Sequence, residues 1–232
     1  MYYNETTIIY YKGEFLKAAE AKGNLYDQTL HYGYGVFEGI RAYETENGVR
    51  IFKPKEHFDR MQFSCEAIGI PYPWTSEELT AISYEVLERN NFKNAYLRPL
   101  VTCTPNMSLT KGKESQLLIA AWEWGAYLGE KLLRLKTSSY RRINPASFVV
   151  AAKVSGHYVN SIMATQEAKD LGFDLMPVSP ESAASHYQLN ATWHRDPFDR
   201  MLIWQAIQKD ITLISKDENI SKYQSAGLKV VW

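Results

Sequence analysis

The sequence predicts a mixed α/β protein of the α+β kind. Three observations support this class. Runs at strand period alternate with segments at helical period through the first 125 residues, residues 40–52 contain a β-hairpin signal, and the end of the chain alternates helix and strand. With 232 residues and 45% hydrophobic composition, the chain is long enough to bury a core and has the composition of an ordinary globular protein.

The first elements are a hairpin and a helix. Residues 40–52, IRAYETENGVRIF, form two strand-like runs joined by Asn47-Gly48, which is a strong hairpin signal. Residues 57–70, HFDRMQFSCEAIGI, predict a helix because their apolar side chains recur at helical spacing. Those side chains are Phe58, Met61, Cys65 and Ile68.

A second helix and a long strand follow. Thr75 and Glu78 have the spacing of a capping box, so a helix is predicted to begin there. Its predicted buried face carries Leu79, Ile82 and Val86. Residues 95–104, AYLRPLVTCT, alternate at strand period, and Pro99 predicts that this strand is an edge or contains a bulge. Its two predicted faces carry Leu97, Val101 and Cys103 against Tyr96, Arg98, Leu100 and Thr102.

Further strands are predicted at residues 116–124 (QLLIAAWEW), 133–140 (LRLKTSSY) and 147–153 (SFVVAAK). A helix then begins at Tyr158 and runs to about Leu171, with Gly172 as its stop. Residues 177–190 are rich in Ser, Pro and Ala and predict a loop or short helix. Residues 198–232 predict helix, strand, a second helix or turn, and strand, an order that implies a parallel strand pair.

Composition excludes several classes of function. The 26 basic and 26 acidic residues balance, so the chain has no field that would attract nucleic acid without sequence preference. No apolar run is long enough to span a bilayer, and residues 1–20 have no signal-peptide pattern. Cys65 and Cys103 lack metal or redox spacing. We therefore expect a cytoplasmic protein with free thiols.

Lys153 is the first candidate for chemistry. It ends the apolar run of residues 147–153 and is followed by small residues and a helix. A desolvated amine loses its proton more easily and can condense with an aldehyde. Gly156 would let the backbone approach a flat ring, and Tyr158 could donate to a phenolate oxygen. The alternative is a lysine that extends to water from a strand end.

Five motifs occur in an order that resembles class IV, pyridoxal-phosphate-dependent aminotransferases, and most of all branched-chain amino acid aminotransferases. They are LHYGYGVFEGIRAY, KEHFDRM, AYLRPLV, EWGAYLG and AAKVSGHYVNS. The resemblance covers about residues 1–174. It implies a small domain at residues 1–125, the start of a large cofactor-binding domain at 126–174, and transfer of an amino group between branched-chain amino acids and 2-oxoglutarate. It also implies a homo-oligomer.

The resemblance implies roles for individual residues. Lys153 would carry the cofactor and later the proton at the substrate Cα, Tyr158 would hydrogen-bond the cofactor ring oxygen, and Arg60 would contact its phosphate. Tyr96 and Arg98 match positions tied to the substrate carboxylate, and Arg41, in GIRAY, is a further motif residue. The residues that match the aromatic wall around a branched side chain are Phe37, Tyr32 and Tyr127.

The family continues with segments that residues 175–232 do not show. One is an EGxGEN-like strand and loop whose glutamate pairs with the cofactor's ring nitrogen. The others are a helix N-terminus at the phosphate and an SGTA-like loop. Glu181 lies in SPESAAS, a different context. The carbanion-stabilising part of the site is therefore expected to be missing from this chain.

Residues 172–232 resemble instead the C-terminal half of a PIN domain, a metal-dependent ribonuclease fold. The motifs are WHRDPFDRMLIWQAI and ITLISKDENI. By this resemblance Asp199 and Asp217 match two metal-binding acids for Mg²⁺ or Mn²⁺, and RNA would be the substrate. Asp196, before Pro197, is expected to cap a helix. Two carboxylates alone make a weak magnesium site, and the alternative is a pair of solvated helix-start aspartates.

Three hypotheses remain open from the sequence. The first is an aminotransferase-like protein with a replaced second half, in which residues 168–177 form the join. The second is a metal-dependent nuclease carried by residues 175–232. The third is a non-catalytic fusion, whose origin could be recombination, design or an assembly error. Yellow colour with the cofactor, or metal-dependent RNA cleavage, would distinguish the first two.

Overall fold

The computed structural model describes residues 2–124, 138–141, 143–173, 185–193, 197–215 and 217–231. The chain divides into two compact units. The first unit comprises residues 1–129 and 139–164, and the second comprises residues 130–138 and 165–232. Within the described ranges, no helix is both long and apolar enough to cross a membrane.

The first unit is built on an antiparallel sheet. The elements are β1 (Ile8–Tyr11), β2 (Glu14–Lys17), α1 (Gln28–Tyr32), β3 (Gly35–Phe37), β4 (Ile40–Thr45), β5 (Gly48–Ile51), α2 (Pro54–Ile68), α3 (Ser76–Arg89), β6 (Ala95–Cys103), β7 (Ser115–Glu123) and α4 (Tyr158–Asp170), which continues into the second unit. The strands lie in the order β2-β1-β7-β6-β4-β5. Strand β3 pairs with β6 along the same edge of β6 as β4 does.

Helices α2 and α3 follow the sequence predictions. Phe58, Met61 and Cys65 of α2 are fully buried in the core of the first unit, as their helical spacing predicted. Thr75 caps α3: its hydroxyl accepts from the Glu78 N–H at 3.1 Å, and the Glu78 carboxylate accepts from the Thr75 N–H at 3.5 Å. The predicted capping box is therefore confirmed.

Strand β6 has the predicted alternation of buried and half-buried side chains. The inference from Pro99 was wrong, because β6 is a central strand between β7 and the β3–β4 side. Pro99 lies opposite Glu38, in the gap between β3 and β4. The Glu38 N–H donates to the Pro99 carbonyl at 2.9 Å. A proline is tolerated there because its missing N–H falls where the neighbouring strand is interrupted.

Two local predictions need correction. The β4–β5 hairpin is present, but Thr45 pairs with Gly48, so the loop is Glu46 and Asn47. The predicted strand at residues 147–153 is wrong: the segment consists of turns and irregular backbone. Its backbone reaches β3 only at Lys153 and Val154, which leaves the rest of the run without a ladder of hydrogen bonds. The strand predicted at residues 133–140 lies mostly outside the described residues.

The second unit contains α5 (Pro197–Gln208), β8 (Thr212–Ile214), α6 (Glu218–Ser221) and β9 (Lys229–Val231). Strands β8 and β9 are parallel, as the element order predicted. Gly172, with φ of +72°, follows the end of α4, so its role as a helix stop is confirmed. A separate small core packs Ile203 and Ala206 of α5 with Tyr223 and Leu228.

Candidate active site

Lys153 is held at the free side of β3. The Phe37 N–H donates to the Lys153 carbonyl at 3.2 Å, and Val154 forms an isolated antiparallel bridge with Val36. The neighbours Ala152 and Val154 are buried, whereas Lys153 itself is half-buried. The segment therefore fixes the backbone of the lysine and leaves its amine partly accessible.

Two aromatic rings flank the amine. The Lys153 Nζ lies 4.7 Å from the centre of the Phe37 ring and 4.8 Å from the centre of the Tyr158 ring. It also donates to the Tyr158 hydroxyl. The two rings meet edge to face, with centres 4.6 Å apart. The Tyr158 hydroxyl and the rings of Phe37 and Tyr158 therefore surround the amine. In such a site an amine can condense with an aldehyde.

Arg60 projects from α2 into an ion pair with Glu38, the residue after β3. Arg60 Nε and Nη2 donate to the two carboxylate oxygens at 2.7 and 2.6 Å, and His57 Nδ1 lies 2.8 Å from the same carboxylate. Glu38 is completely buried, whereas the Arg60 side chain is 48% exposed. Among the described residues, Arg60 Nη1 has no hydrogen-bond partner. One edge of the guanidinium therefore remains available.

Hydrogen bonds keep this pair charged. Burial alone would raise the pKa of Glu38, but the bonds from His57 and Arg60 outweigh burial and the net pKa is lowered. The bond to Glu38 raises the pKa of Arg60, against the opposing effect of burial.

Arg98 and Tyr96 project from the same face of β6, as predicted. Arg98 Nη2 donates to the Tyr96 hydroxyl at 3.0 Å, and its guanidinium lies 4.6 Å from the centre of the Phe37 ring. Arg98 Nε is buried and has no partner within the described part of the chain. A Cβ added to Gly39 would lie 2.0 Å from the Tyr96 hydroxyl oxygen, so a larger residue there would force the Tyr96 side chain to move.

Arg41 lies opposite Tyr96 on β4, and its Nη2 donates to the Trp124 carbonyl at 2.7 Å. The Tyr96 ring in turn stacks near Trp122 and Trp124, with ring centres 5.0 and 5.2 Å apart. The arginines and aromatic rings form a half-buried surface on the sheet beside Phe37. Such a surface can bind a carboxylate through donors and an apolar group through rings.

Gly33 and Gly156 bring the start of α4 close to α1. The Gly156 N–H donates to the Gly33 carbonyl at 3.1 Å. Gly33 has a φ of +63°, and a Cβ on it would lie 2.7 Å from Gly156 Cα. The two backbones can therefore approach this closely only with glycine at position 33.

The structure brings together six of the residues predicted from the sequence. Phe37 links the group, because Lys153, Tyr158 and Arg98 all contact its ring. The six are Lys153, Tyr158, Phe37, Arg60, Arg98 and Tyr96. Arg60 is connected to the others through Ser64, whose hydroxyl donates to the Arg60 carbonyl and accepts from the Lys153 N–H. Arg41 joins them through strand pairing with Tyr96. Tyr32 is half-exposed and its hydroxyl donates to the Met107 carbonyl at 3.0 Å, with no described contact to Lys153 or Phe37. Tyr127 lies outside the described residues.

The predicted metal site gains no support. Asp217 is the N-cap of α6, where its carboxylate accepts from the Asn219 N–H at 2.8 Å, and Asp199 lies in the first turn of α5. In the described ranges, no group of three or more His, Cys, Asp or Glu side chains could hold a metal ion. Asp196 and Glu181 lie outside the described residues.

Sequence reasoning missed three participants: Glu38 and Ser64, which are buried, and His57, which is half-buried. Glu38 is part of LHYGYGVFEGIRAY, and His57 and Arg60 are three residues apart on α2, so that they share a helix face. An acid within an apolar strand run, with two basic residues on one helix face, could have indicated the pair. No sequence signal indicates Ser64, because its partner is 89 residues away.

The fold and this cluster define a member of an aminotransferase family. The family model described as amino-transferase class IV matches residues 35–178, which is more than half of the chain. The chain therefore belongs to the class IV aminotransferases. The match includes every residue of the cluster around Lys153 and ends at residue 178, so it does not support the ribonuclease-like interpretation of residues 172–232.

Similar proteins are branched-chain aminotransferases. The branched-chain-amino-acid aminotransferase of Pseudomonas aeruginosa is 38% identical over 181 residues, which are 75% of this chain and 59% of that protein. The crystal structure of a branched-chain aminotransferase from Thermoproteus uzoniensis with norvaline has a TM-score of 0.69 at 35% identity. It is matched over 72% of this chain and 57% of that one.

A third comparison is the T.th. branched-chain amino acid aminotransferase complexed with N-(5'-phosphopyridoxyl)-L-glutamate. It has a TM-score of 0.68 at 39% identity, over 77% of this chain and 60% of that chain. This chain thus spans less than two thirds of the length of these relatives.

Proposed function

We propose that this protein is a branched-chain aminotransferase-like enzyme that binds pyridoxal phosphate through Lys153. Its small domain would occupy residues 1–125, and residues 126–174 would begin the cofactor-binding domain. The observation that carries the proposal is the position of the Lys153 amine, which donates to the Tyr158 hydroxyl beside the Phe37 ring. Amino acid and 2-oxo acid substrates follow from the same resemblance. So does a homo-oligomer, which sedimentation would test.

The residues present fit a flat, phosphorylated aldehyde. Lys153 supplies the amine, Tyr158 a donor for a ring oxygen, and Arg60 a cation with its Nη1 edge available. The close approach of Gly33 and Gly156 leaves no side chain between the start of α4 and α1. When bound, pyridoxal phosphate supplies the aldehyde that receives the amino group and an electron-accepting ring.

Lys153 would also move the proton at the substrate Cα. Its Nζ donates to the Tyr158 hydroxyl, and its backbone is fixed on both sides, so the amine has a restricted range of positions. Proton transfer needs the donor and acceptor within hydrogen-bond reach. The aromatic rings of Phe37 and Tyr158 flank the amine and would limit its contact with water.

Arg98 and Tyr96 would bind the substrate carboxylate. The Arg98 guanidinium lies 4.6 Å from the centre of the Phe37 ring, and its Nε is a buried donor without a described partner. A carboxylate would satisfy that donor. Phe37 would supply an apolar wall for a branched aliphatic side chain. We retain Arg41, Tyr32 and Tyr127 as further proposed substrate contacts.

Turnover has a further requirement besides the cluster around Lys153, namely an acid at the cofactor's ring nitrogen. Residues 175–232 contain no motif that matches the family's acid for the ring nitrogen. Without that acid the ring nitrogen is not held protonated, and the ring withdraws electrons less strongly. Cofactor attachment does not need that acid, because it depends on Lys153, Tyr158 and Arg60. We therefore propose that cofactor binding survives where turnover is weak.

The test is intact mass after incubation with pyridoxal phosphate and borohydride reduction, followed by peptide mapping. We expect one adduct on Lys153, absent in Lys153→Ala. Lys93→Ala is the control, since Lys93 pairs with Glu44 on the surface and lies outside the cluster. An adduct spread over many lysines, or none, would refute the proposal. Leucine and 2-oxoglutarate added to the loaded protein then measure residual transamination.

A further inference from the structure

Ser64 connects the two halves of the cluster. It lies on α2, one turn after Arg60, and is completely buried. Its hydroxyl donates to the Arg60 carbonyl at 2.7 Å. This bond is common for a serine in a helix, because the hydroxyl reaches back to the carbonyl four residues earlier. By itself it would give Ser64 no special role.

The second hydrogen bond of Ser64 is long-range. The Lys153 N–H donates to the Ser64 Oγ at 3.0 Å. The Lys153 carbonyl accepts from the Phe37 N–H at 3.2 Å, so both polar groups of the Lys153 backbone have partners from other elements. The segment around Lys153 is irregular and bridges β3 only at Val154. A side chain therefore supplies the partner that a neighbouring strand would otherwise provide.

We propose that Ser64 is a positioning residue for Lys153. Its hydroxyl joins the turn of α2 that carries Arg60 to the backbone of Lys153. This connection would hold the Lys153 amine and the Arg60 guanidinium at a fixed distance from each other. The consequence for cofactor binding rests on the proposed function of Lys153 and Arg60. The hydrogen-bond arrangement itself does not.

Loss of the hydroxyl should act locally. In Ser64→Ala the Lys153 N–H would be left without its acceptor in a partly buried setting, where an unpaired donor is costly. The helix should tolerate the change, because alanine has the best helix propensity. We therefore expect the 152–154 backbone to open more often while α2 remains folded.

The chain offers a matched control in Ser83. Ser83 is also completely buried on a helix, and its hydroxyl donates to the Leu79 carbonyl at 2.7 Å, four residues earlier. Ser83→Ala therefore removes the same short-range bond on α3. The difference between the two variants isolates the bond to Lys153.

The first readout is hydrogen exchange of the Lys153 amide in the protein without added cofactor. We expect exchange in Ser64→Ala to be about tenfold faster or more than in the wild type, in line with the loss of one partly buried hydrogen bond. Ser83→Ala should leave this amide unchanged. Equal protection in both variants would overturn the inference. If Ser64→Ala does not fold, Ser64→Cys takes its place, because sulfur is a weaker acceptor of similar size.

The second readout is the affinity for pyridoxal phosphate, from the absorbance of the bound form, with the adduct at Lys153 mapped by mass. We expect Ser64→Ala to bind about tenfold more weakly than Ser83→Ala. Equal affinities would refute the positioning role even if exchange differs. No adduct in the wild type would refute the proposed function, while the exchange experiment would still decide the role of the Ser64 bond.

Discussion

Glu38 is a completely buried carboxylate, so removal of its cation should have a measurable cost. Arg60→Met keeps an apolar stem but leaves Glu38 with His57 as its partner. Breaking a buried ion pair by deleting one partner costs about 3–5 kcal/mol. The Arg60 side chain is 48% exposed, which weakens the pair through solvent screening. We therefore expect a loss of about 2 kcal/mol in the free energy of unfolding at pH 7.

Arg89→Met is the matched control for this prediction. Arg89 is 47% exposed, almost the same as Arg60, and its Nε and Nη2 both donate to Glu85. Glu85, however, is 43% exposed rather than buried. Exposed pairs of this kind contribute about 0.3–0.5 kcal/mol, so the control should lose much less stability. Urea-dependent hydrogen exchange of β6 peptides measures the unfolding free energy of the first unit in both variants.

The pH dependence of the stability loss in Arg60→Met provides a second test. In the wild type the pKa of Glu38 is lowered, so its contribution is present above the ordinary value of about 4.3 and is lost as pH falls through the lowered pKa. In Arg60→Met the hydrogen bonds from Arg60 to Glu38 are absent, so burial should raise the pKa of Glu38 above its value in the wild type. The cost of Arg60→Met should therefore grow as pH increases from 4 to 7. A loss no larger than in Arg89→Met, or one independent of pH, would refute this account.

Three further variants test the fold around the site. Thr75→Ala should lose about 1 kcal/mol of stability, measured by urea denaturation, because it removes the cap of α3; an unchanged midpoint would contradict the capping role. Gly39→Ala should lower the melting temperature, because its Cβ would displace the Tyr96 hydroxyl, whereas Gly23→Ala, which meets no atom within 4 Å, should not. Leu97→Ala should cost about 2–5 kcal/mol in the same denaturation experiment, since Leu97 is completely buried.

Features with a short-range physical cause were predictable from the sequence. The capping box of α3 depends on residues three apart, and the buried stripe of α2 follows from its 3.6-residue period. The two faces of β6 follow from the same kind of local rule, because successive side chains of a strand point to opposite faces. Each of these predictions depends only on residues that are close together in the sequence.

Predictions that depend on a distant partner were less successful. An apolar run such as residues 147–153 forms a strand only if another strand pairs with it, and here only Lys153 at its end and the next residue, Val154, reach β3. Pro99 indicated an edge because the interruption between β3 and β4 cannot be seen in the β6 sequence. Glu38 was missed for the same reason, since its burial depends on Arg60, 22 residues later.

Cofactor attachment and turnover should therefore be separable in this protein. The contacts that hold Lys153 come from Phe37, Ser64 and Tyr158, all within the first unit. The counter-charge that fixes Arg60 comes from Glu38 in the same unit. None of these contacts needs the segment after residue 178, where the family match ends. Chemistry at the substrate Cα additionally requires an electron-accepting ring, and that depends on an acid outside these contacts.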